Sequence, residues 1–358
     1  MMGRVRRAIG LMSGTSLDGI DAAYVETDGR GHVVPGPAIT VPYDDAFRAR
    51  LRGVLGGVGP VAEVERELTE RHAEVVRLLR ERHGIHAVDV VGFHGHTILH
   101  RPEERRTWQI GDGALLARLA GADVVCDFRS ADVAAGGEGA PLVPIYHAAL
   151  AGRFERPVAI LNIGGVANVT WIGPGEDELL AFDTGPGNAP IDDWVMTHTG
   201  ERFDRGGALA RTGRIDRDRL DRFLAHPFFA AAPPKSLDRD AFAGHRPDGL
   251  APADGAATLT AMSAAAVAQA ASWFPLPARR WLVAGGGRHN AVLMDAIRER
   301  LGGSVPVEPI DAAGWDGDVL EAQAFAYLAV RVLDGLPTSF PTTTRAPRPM
   351  CGGKVFRA

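Results

Sequence analysis

The sequence predicts an α/β protein built from two similar halves. Three observations carry that reading. Strand-type apolar runs alternate with helical segments along the chain, the pattern of sheets covered by helices. Each half opens on the same design, a strand, a Gly-containing turn and a second strand: Ala8–Met12 and Ile20–Glu26 flank Ser13–Gly19, and Val158–Ile163 and Val166–Ile172 flank Gly164-Gly165. The chain has 358 residues, 46% of them apolar, enough for two domains with sizeable cores.

In order along the chain, the first hairpin is followed by a strand over Val33–Val41 and helices over Asp44–Leu55 and Val61–His83. In the second helix Val61, Val64, Leu68, Val75, Leu78 and Leu79 recur at spacings of three and four. Asp89–Phe93 reads as a buried strand that runs into a polar cluster, Phe93–Pro102. Thr107–Ile110 is a short strand, Gly111–Gly113 a turn, Ala114–Ala120 a helix and Asp123–Cys126 a strand. The long polar, Gly-rich stretch Asp127–Pro144 reads as a functional loop. After the second hairpin come a strand at Leu179–Phe182, the turn Asp183–Asn188 and a helix over Ala189–Thr199. A polar segment, Gly200–Ala253, holds a short helix at Arg217–Ala225. An Ala-rich helix over Ala256–Trp273, a strand at Trp281–Ala284, a helix over Ala291–Leu301 and a last helix over Asp318–Gly335 precede an irregular tail.

Composition excludes several classes. A net charge of −5 gives no global basic footprint for nucleic acid. No stretch approaches the roughly 20 apolar residues of a membrane span, and no signal-peptide core follows the basic N-terminus. Cys126 and Cys351 cannot form a disulfide framework or a four-ligand zinc site on their own. These features suggest a cytoplasmic soluble protein with no nucleic-acid partner and no membrane.

The first turn is the strongest chemical signal. Gly14 and Gly19 permit a sharp turn, and the small side chains of Ser13, Thr15 and Ser16 leave backbone N–H groups and hydroxyls facing outward, a seat for phosphate oxygens. Asp18 and Asp21 add carboxylates able to hold Mg²⁺ directly or through water. An ordinary Ser/Gly/Asp hairpin explains the same residues, since the turn is neither a P-loop nor a dinucleotide fingerprint. Asp183 ends a strand before a Gly-rich turn, which aims a carboxylate into a cleft, or else caps the turn as an Asx residue. His94 and His96 share one face of a strand end, with His100 nearby. Substrate hydrogen bonding suits them better than metal ligation, because no Asp or Cys partner sits at ligand spacing. Arg129, inside the long loop, suits a phosphate oxygen or a carboxylate; a surface arginine is the plain alternative.

Taken together, GLMSGTSLDGID (Gly10–Asp21), FHGHT (Phe93–Thr97), TWQIGDG (Thr107–Gly113), DFRSADVAAGGEGAPLVP (Asp127–Pro144), NIGGVANVT (Asn162–Thr170), FDTGPGN (Phe182–Asn188), GGGRHN (Gly285–Asn290) and EAQAFAYLAVR (Glu321–Arg331) resemble the anhydro-N-acetylmuramic acid kinases of bacterial cell-wall (peptidoglycan) recycling, over nearly the whole chain. The resemblance implies the two-domain actin-like ATPase fold of sugar kinases, Hsp70 and actin, with a mixed five-stranded sheet in each domain and an active-site cleft between them. On that fold residues 1–130, completed by the tail 345–358, form the N-terminal domain and residues 131–344 the C-terminal domain.

It further implies a homodimer that uses ATP and Mg²⁺ to convert 1,6-anhydro-N-acetylmuramic acid to N-acetylmuramic acid 6-phosphate. Asp183 is then the general base. Gly14, Thr15, Ser16, Leu17, Asp18, Gly19, Ile20 and Asp21 bind ATP together with Gly164, Gly165, Gly285, Gly286 and Gly287. Asp18 and Asp21 are the metal candidates. His94, His96, Arg129, Asn188 and Glu321 are the substrate candidates, although Glu321 also suits a helix N-terminus on dipole grounds alone. The sequence departs from the family pattern at His96 and Glu138, both usually Gln, at Leu237, Asp238 and Asp240, and at Thr344-Arg345-Ala346, usually TGA. A kinase for another anhydro sugar, a nucleotide-binding regulator of the same fold, and a metallohydrolase built on His94 and His96 are the alternatives.

Overall fold

A computed structural model describes residues 3–14, 17–175 and 178–358. Thr15 and Ser16 lie outside the described residues. The chain forms two compact units, one of residues 1–152 with 319–358, the other of residues 153–318. The division falls at 152/153 and 318/319, where the sequence suggested 130/131 and 344/345. Residues 131–152 and the last long helix belong with the first unit because they pack on its sheet and loops.

In the first unit the elements are β1 (Arg6–Ser13), β2 (Gly19–Thr27), β3 (Val33–Pro42), α1 (Asp45–Gly53), α2 (Val61–His83), β4 (Val90–Arg101), β5 (Arg106–Ile110), α3 (Gly113–Ala120), β6 (Asp123–Cys126), α4 (Ser130–Ala134) and α5 (Pro144–Leu150). The second unit contains β7 (Val158–Ile163), β8 (Val166–Ile172), β9 (Leu179–Pro186), α6 (Ala189–Thr199), α7 (Arg217–Leu224), α8 (Pro227–Ala230), α9 (Pro252–Ala271), β10 (Arg280–Ala284), α10 (Ala291–Arg300) and β11 (Val307–Pro309). The chain then adds α11 (Leu320–Leu333), α12 (Pro341–Thr344) and β12 (Lys354–Phe356) to the first unit.

The two sheets share one plan. The first runs β3-β2-β1-β4-β6 and the second β9-β8-β7-β10-β11. In each, the three strands of the opening meander pair antiparallel, and the next two strands add in parallel to the first. The first sheet has two further strands: β12 pairs with β6 at the edge and β5 folds back on β4. The sequence reading gave five strands to each sheet and left the tail irregular. It also ended the fourth strand at Phe93, whereas β4 continues through the polar cluster because β5 supplies a partner from His96 to Arg101. α4 within the expected loop, α5, α8, α12 and the three-residue edge strand β11 are additions, and β9 continues through the expected turn at Asp183 to Pro186, paired with β8. VEP is too short to show a period, and its proline is tolerated only at an edge.

Alternation along β1 decides how helices cover the first sheet. Ile9 and Leu11 face a core formed with Phe47, Leu68, Val76, Phe93 and Leu116 of α1, α2, β4 and α3. Ala8 turns the other way, toward α11, with Val90, Val125, Phe325 and Leu328. Gly10 and Gly92 make that second packing possible: a Cβ at either would overlap the backbone of α11 at Ala322 or Phe325. In the second unit, Leu161, Val169, Phe182, Val283 and Ile297 form the core beneath α9 and α10, while Trp194, Phe223 and Met262 join α6, α7 and α9.

Candidate active site

In the first unit the opening turn is held from behind. Leu17 has φ 61° and its N–H donates to the Gly14 carbonyl at 3.1 Å. Arg48 Nε donates to the Leu17 carbonyl at 3.0 Å, and the Tyr43 N–H donates to the Asp18 carbonyl at 2.9 Å. Leu17 and Ile20 bury their side chains in the core, so their ligand contacts are limited to backbone. Gly14 and Gly19 are half-buried and Asp18 is exposed. Asp21, half-buried, accepts from Thr40 Oγ1 at 2.6 Å. No group of three or more His, Cys, Asp or Glu forms a metal cluster among the described residues. Asp18, exposed at the turn, and Asp21, half-buried on β2, are carboxylates of the kind Mg²⁺ takes alongside waters and phosphate oxygens.

Next to this turn lies a polar chain that sequence reasoning missed. Ser13 Oγ is 2.7 Å from Tyr43 Oη and 3.0 Å from His96 Nδ1. Burial pushes the His96 pKa down to about 4, so the ring is neutral. Thus His96, one of the departures, ties β4 to the last residue of β1.

Arg129 assembles a second cluster. Its Nε donates to His94 Nε2 at 3.1 Å, and Nη1 donates to the Gly139 carbonyl at 2.8 Å. The guanidinium lies 5.9 Å from the Phe325 ring centroid, and His94 packs on the same ring at 4.6 Å. His94 Nδ1 lies 2.9 Å from the Gly95 carbonyl, so both ring nitrogens are engaged and neither suits a metal. Burial, then the Arg129 charge, holds His94 neutral. Burial lowers the Arg129 pKa to about 10, against the pull of Glu321 and Asp132, and leaves it cationic. Glu321, on the first turn of α11, is pushed upward by the surrounding protein, lowered by Arg129 and raised by Asp21. The side chain keeps solvent on it, which screens that upward push. His94, Arg129, Glu321 and Asp21 are therefore brought together.

The long loop is fixed by Asp132. Its carboxylate accepts from the Gly139 N–H at 2.7 Å, from Thr344 Oγ1 at 2.7 Å and from Ser339 Oγ. Two of the departures meet here: Arg345 Nη1 pairs with Glu138 Oε1 at 3.3 Å.

In the second unit three backbone turns converge. The Asn188 N–H donates to the Gly164 carbonyl at 2.7 Å and the Gly187 N–H to the Gly165 carbonyl at 2.9 Å. Asn188 Nδ2 donates to the Ile163 carbonyl at 3.2 Å. A Cβ on Gly285 would press on the same Ile163 carbonyl, and one on Gly286 would lie 3.4 Å from Asn188 Nδ2. Gly164, Gly165, Asn188 and Gly285–Gly287 thus form one polar rim. Asn188, a substrate candidate, therefore lies on the same rim as the nucleotide candidates Gly164, Gly165 and Gly285–Gly287.

Asp183 sits opposite Asn168 on β8. Its own N–H donates to the Lys235 carbonyl at 2.9 Å, and its Oδ2 accepts from the Leu237 N–H at 2.7 Å. Oδ1 accepts no hydrogen bond among the described residues. Burial drives its pKa up to about 7, and the Leu237 N–H opposes the rise. The Leu237 contact is made through backbone, which is why departures at Leu237, Asp238 and Asp240 leave it in place.

A mixed sheet of one order repeated in two α/β units, each ending its strands in polar turns, is the architecture of the actin-like sugar kinases and ATPases. The chain belongs, within that class, to the anhydro-N-acetylmuramic acid kinase family, whose model matches residues 6–358. Relatives of that name are 60% identical in Paramagnetospirillum magneticum, covering 97% of this chain and 98% of the relative, and 58% identical in Rhodospirillum rubrum, covering 98% and 94%. A third, from Acidiphilium cryptum, is 56% identical over 98% of both chains. A solved ROK family glucokinase from Streptomyces griseus, in complex with glucose and AMPPNP, has a TM-score of 0.42 and 16% identity over 90% of this chain and 99% of that one, a likeness too distant to argue from.

Proposed function

We propose that this protein uses ATP to open 1,6-anhydro-N-acetylmuramic acid and phosphorylate O6, giving N-acetylmuramic acid 6-phosphate and ADP, with Asp183 as the general base. One observation carries the assignment of the base. Asp183 is a half-buried carboxylate with a pKa near 7, one oxygen held by a backbone N–H and the other without a hydrogen bond among the described residues. Such a group is ionised enough at neutral pH to accept a proton and basic enough to keep it.

Water attacks C1 while its proton passes to Asp183 Oδ1. The C1–O6 bond breaks, and the freed O6 takes the γ-phosphoryl group as ADP leaves. Positioning and charge neutralisation supply most of the catalysis in phosphoryl transfer, so backbone turns suffice without a P-loop lysine. The amides of Gly14, Asp18, Gly19, Ile20 and Asp21, of Gly165, and of Gly285–Gly287 are the phosphate and nucleotide donors in this reading, while Leu17 and Gly164, whose N–H groups are bonded to the Gly14 and Val166 carbonyls, shape the turns. Asp18 and Asp21 would hold Mg²⁺, which neutralises phosphate charge. His94, Arg129 and Glu321 serve the sugar: a guanidinium fixed by His94 and Gly139 retains donors for the substrate carboxylate. His96 acts indirectly, through Ser13. No helix among the described residues is long and apolar enough to cross a membrane; a cytoplasmic homodimer completes the reading.

The test is turnover in solvent labelled with ¹⁸O, beside Asp183→Asn. The expected result is label at C1, phosphate on O6, and a kcat about 10²–10⁴ lower in the variant with ATP binding intact. Label absent from C1, or full turnover by Asp183→Asn, overturns the assignment.

A further inference from the structure

Lys235 is one of only two lysines in the chain, in which Arg supplies nearly all the basic residues. It is 8% exposed, and its ammonium donates to a backbone carbonyl, that of Phe228, at 2.8 Å. Three rings surround the charge: Phe228 at 4.5 Å, Trp273 at 5.6 Å and Phe182 at 5.9 Å from the nitrogen to the ring centroid. A compact ammonium with three donors suits a carbonyl and ring faces together; a planar guanidinium would not turn into the same space. The rings come from α8, from the segment after α9, and from β9 one residue before Asp183.

The backbone of the same residue reaches Asp183. The Lys235 carbonyl accepts the Asp183 N–H, and two residues on, the Leu237 N–H donates to Asp183 Oδ2. These two bonds grip Asp183 at its main chain and at its carboxylate. The segment that makes them follows Pro233-Pro234 and lies outside the helices and strands, so no ladder or helix holds it in register.

We propose that Lys235 is a positioning residue for the reaction: its caged ammonium pins the Lys235–Leu237 backbone against β9 and so keeps the Leu237 N–H on the Asp183 carboxylate. The proposal rests on the reading of Asp183 as the base. Burial lowers the Lys235 pKa to about 8, in keeping with a cation held by rings and a carbonyl in place of a carboxylate. The titratable groups on the elements packed around it are Asp183 on β9 and His226, the N-cap of α8. Lys235 acts through the backbone: its carbonyl accepts the Asp183 N–H, and its ammonium is committed to the Phe228 carbonyl.

The experiment follows the Asp183 carboxyl itself. Protein labelled with ¹³C at aspartate Cγ is titrated by NMR, and the Asp183 signal is identified by its loss in Asp183→Asn. In Lys235→Met, which keeps the apolar stem, the Leu237 bond loosens. The Asp183 pKa then rises by about one pH unit, a tenfold gain in proton affinity, and the acid limb of the kcat profile moves up with it. Phe228→Leu keeps the charge but opens the cage, and gives a smaller rise in the same direction. A folded Lys235→Met whose carboxyl titrates as in the unaltered protein overturns the proposal, even if its melting temperature falls. Should that variant not fold, the titration of Phe228→Leu decides in the same way. Turnover by Asp183→Asn would overturn the base assignment alone, since the titration reads the Lys235 clamp whatever Asp183 does.

Discussion

The hairpins β1–β2 and β7–β8 are counterparts: each opens its unit, and each sheet then grows in the same order and sense. Their equipment differs. At the end of β1, Ser13 is tied through side chains to Tyr43 and His96, and Arg129 before α4, Glu321 on α11 and Asp21 on β2 add a cluster of charged groups. Around the end of β7 the parts are almost all main chain, turn carbonyls at Gly164 and Gly165 meeting the N–H groups of Gly187 and Asn188. The ionisable group there, Asp183, has no cation among the causes of its shift and so titrates near neutrality, whereas Arg129 keeps its charge. Strand order is thus set by the apolar pattern that the two halves share. Chemistry is set by the turns at the strand ends, which the fold leaves free to vary.

Glycine use gives the largest test of this contrast. In the first sheet Gly92 is a packing residue, and Gly92→Ala drives a methyl group into the α11 backbone at Phe325. The expected loss is about 3 kcal/mol in urea unfolding. In the second, Gly165 meets only Ala189 Cβ at 3.5 Å. Gly165→Ala should leave stability within about 0.5 kcal/mol while raising the KM for ATP. Equal destabilisation by the two substitutions would break the comparison.

The charged groups come next. Arg129→Ala leaves His94 Nε2 and the Gly139 carbonyl without their donor, and should cost about 2 kcal/mol. Asp183→Asn should act in the opposite direction. The folded pKa of about 7 lies above the ordinary value of 3.8, so the contribution of this group is fully present below about pH 4 and is lost as the pH rises through 7. At pH 8 the variant should be more stable than the unaltered protein by about 2 kcal/mol, a figure reduced for the solvent that reaches the carboxyl. At pH 4 the difference should vanish. Melting curves at the two pH values decide, and a gain that persists at pH 4 would rule out the carboxylate as its source. Smallest is the exposed Glu138–Arg345 pair: Glu138→Gln should change stability by less than about 0.5 kcal/mol, with unchanged kcat.

Much of this was legible in the chain. The period of α2 runs over Val61–His83 in the sequence and in the structure alike, and the twin hairpins announced the repeated sheet. Asp183 was legible as a carboxylate before a Gly-rich turn, with an Asx cap as the equal alternative on spacing alone, although β9 runs past it to Pro186. Less legible were features that need a partner distant in sequence. β4 runs on to Arg101 only because β5 is there to pair with it. The His96–Ser13–Tyr43 chain spans 83 and 30 residues, and Arg345 lies 207 residues from Glu138. Lys235 gave one signal, its rarity, and that signal has no direction until the rings around it are known.

What the sequence determined by itself is the pattern of apolar and glycine positions, and with it the class, most of the strands and helices, and the Gly-rich turns between them. Those are local properties, fixed by side-chain period and by backbone freedom at each residue. Tertiary structure alone decided the protonation state in which the polar residues stand. Asp183 titrates near neutrality because burial raises its pKa against the opposing N–H of Leu237, and burial carries His96 down to about 4. Protonation depends on the dielectric and the donors around a group, and both are supplied by residues far away along the chain.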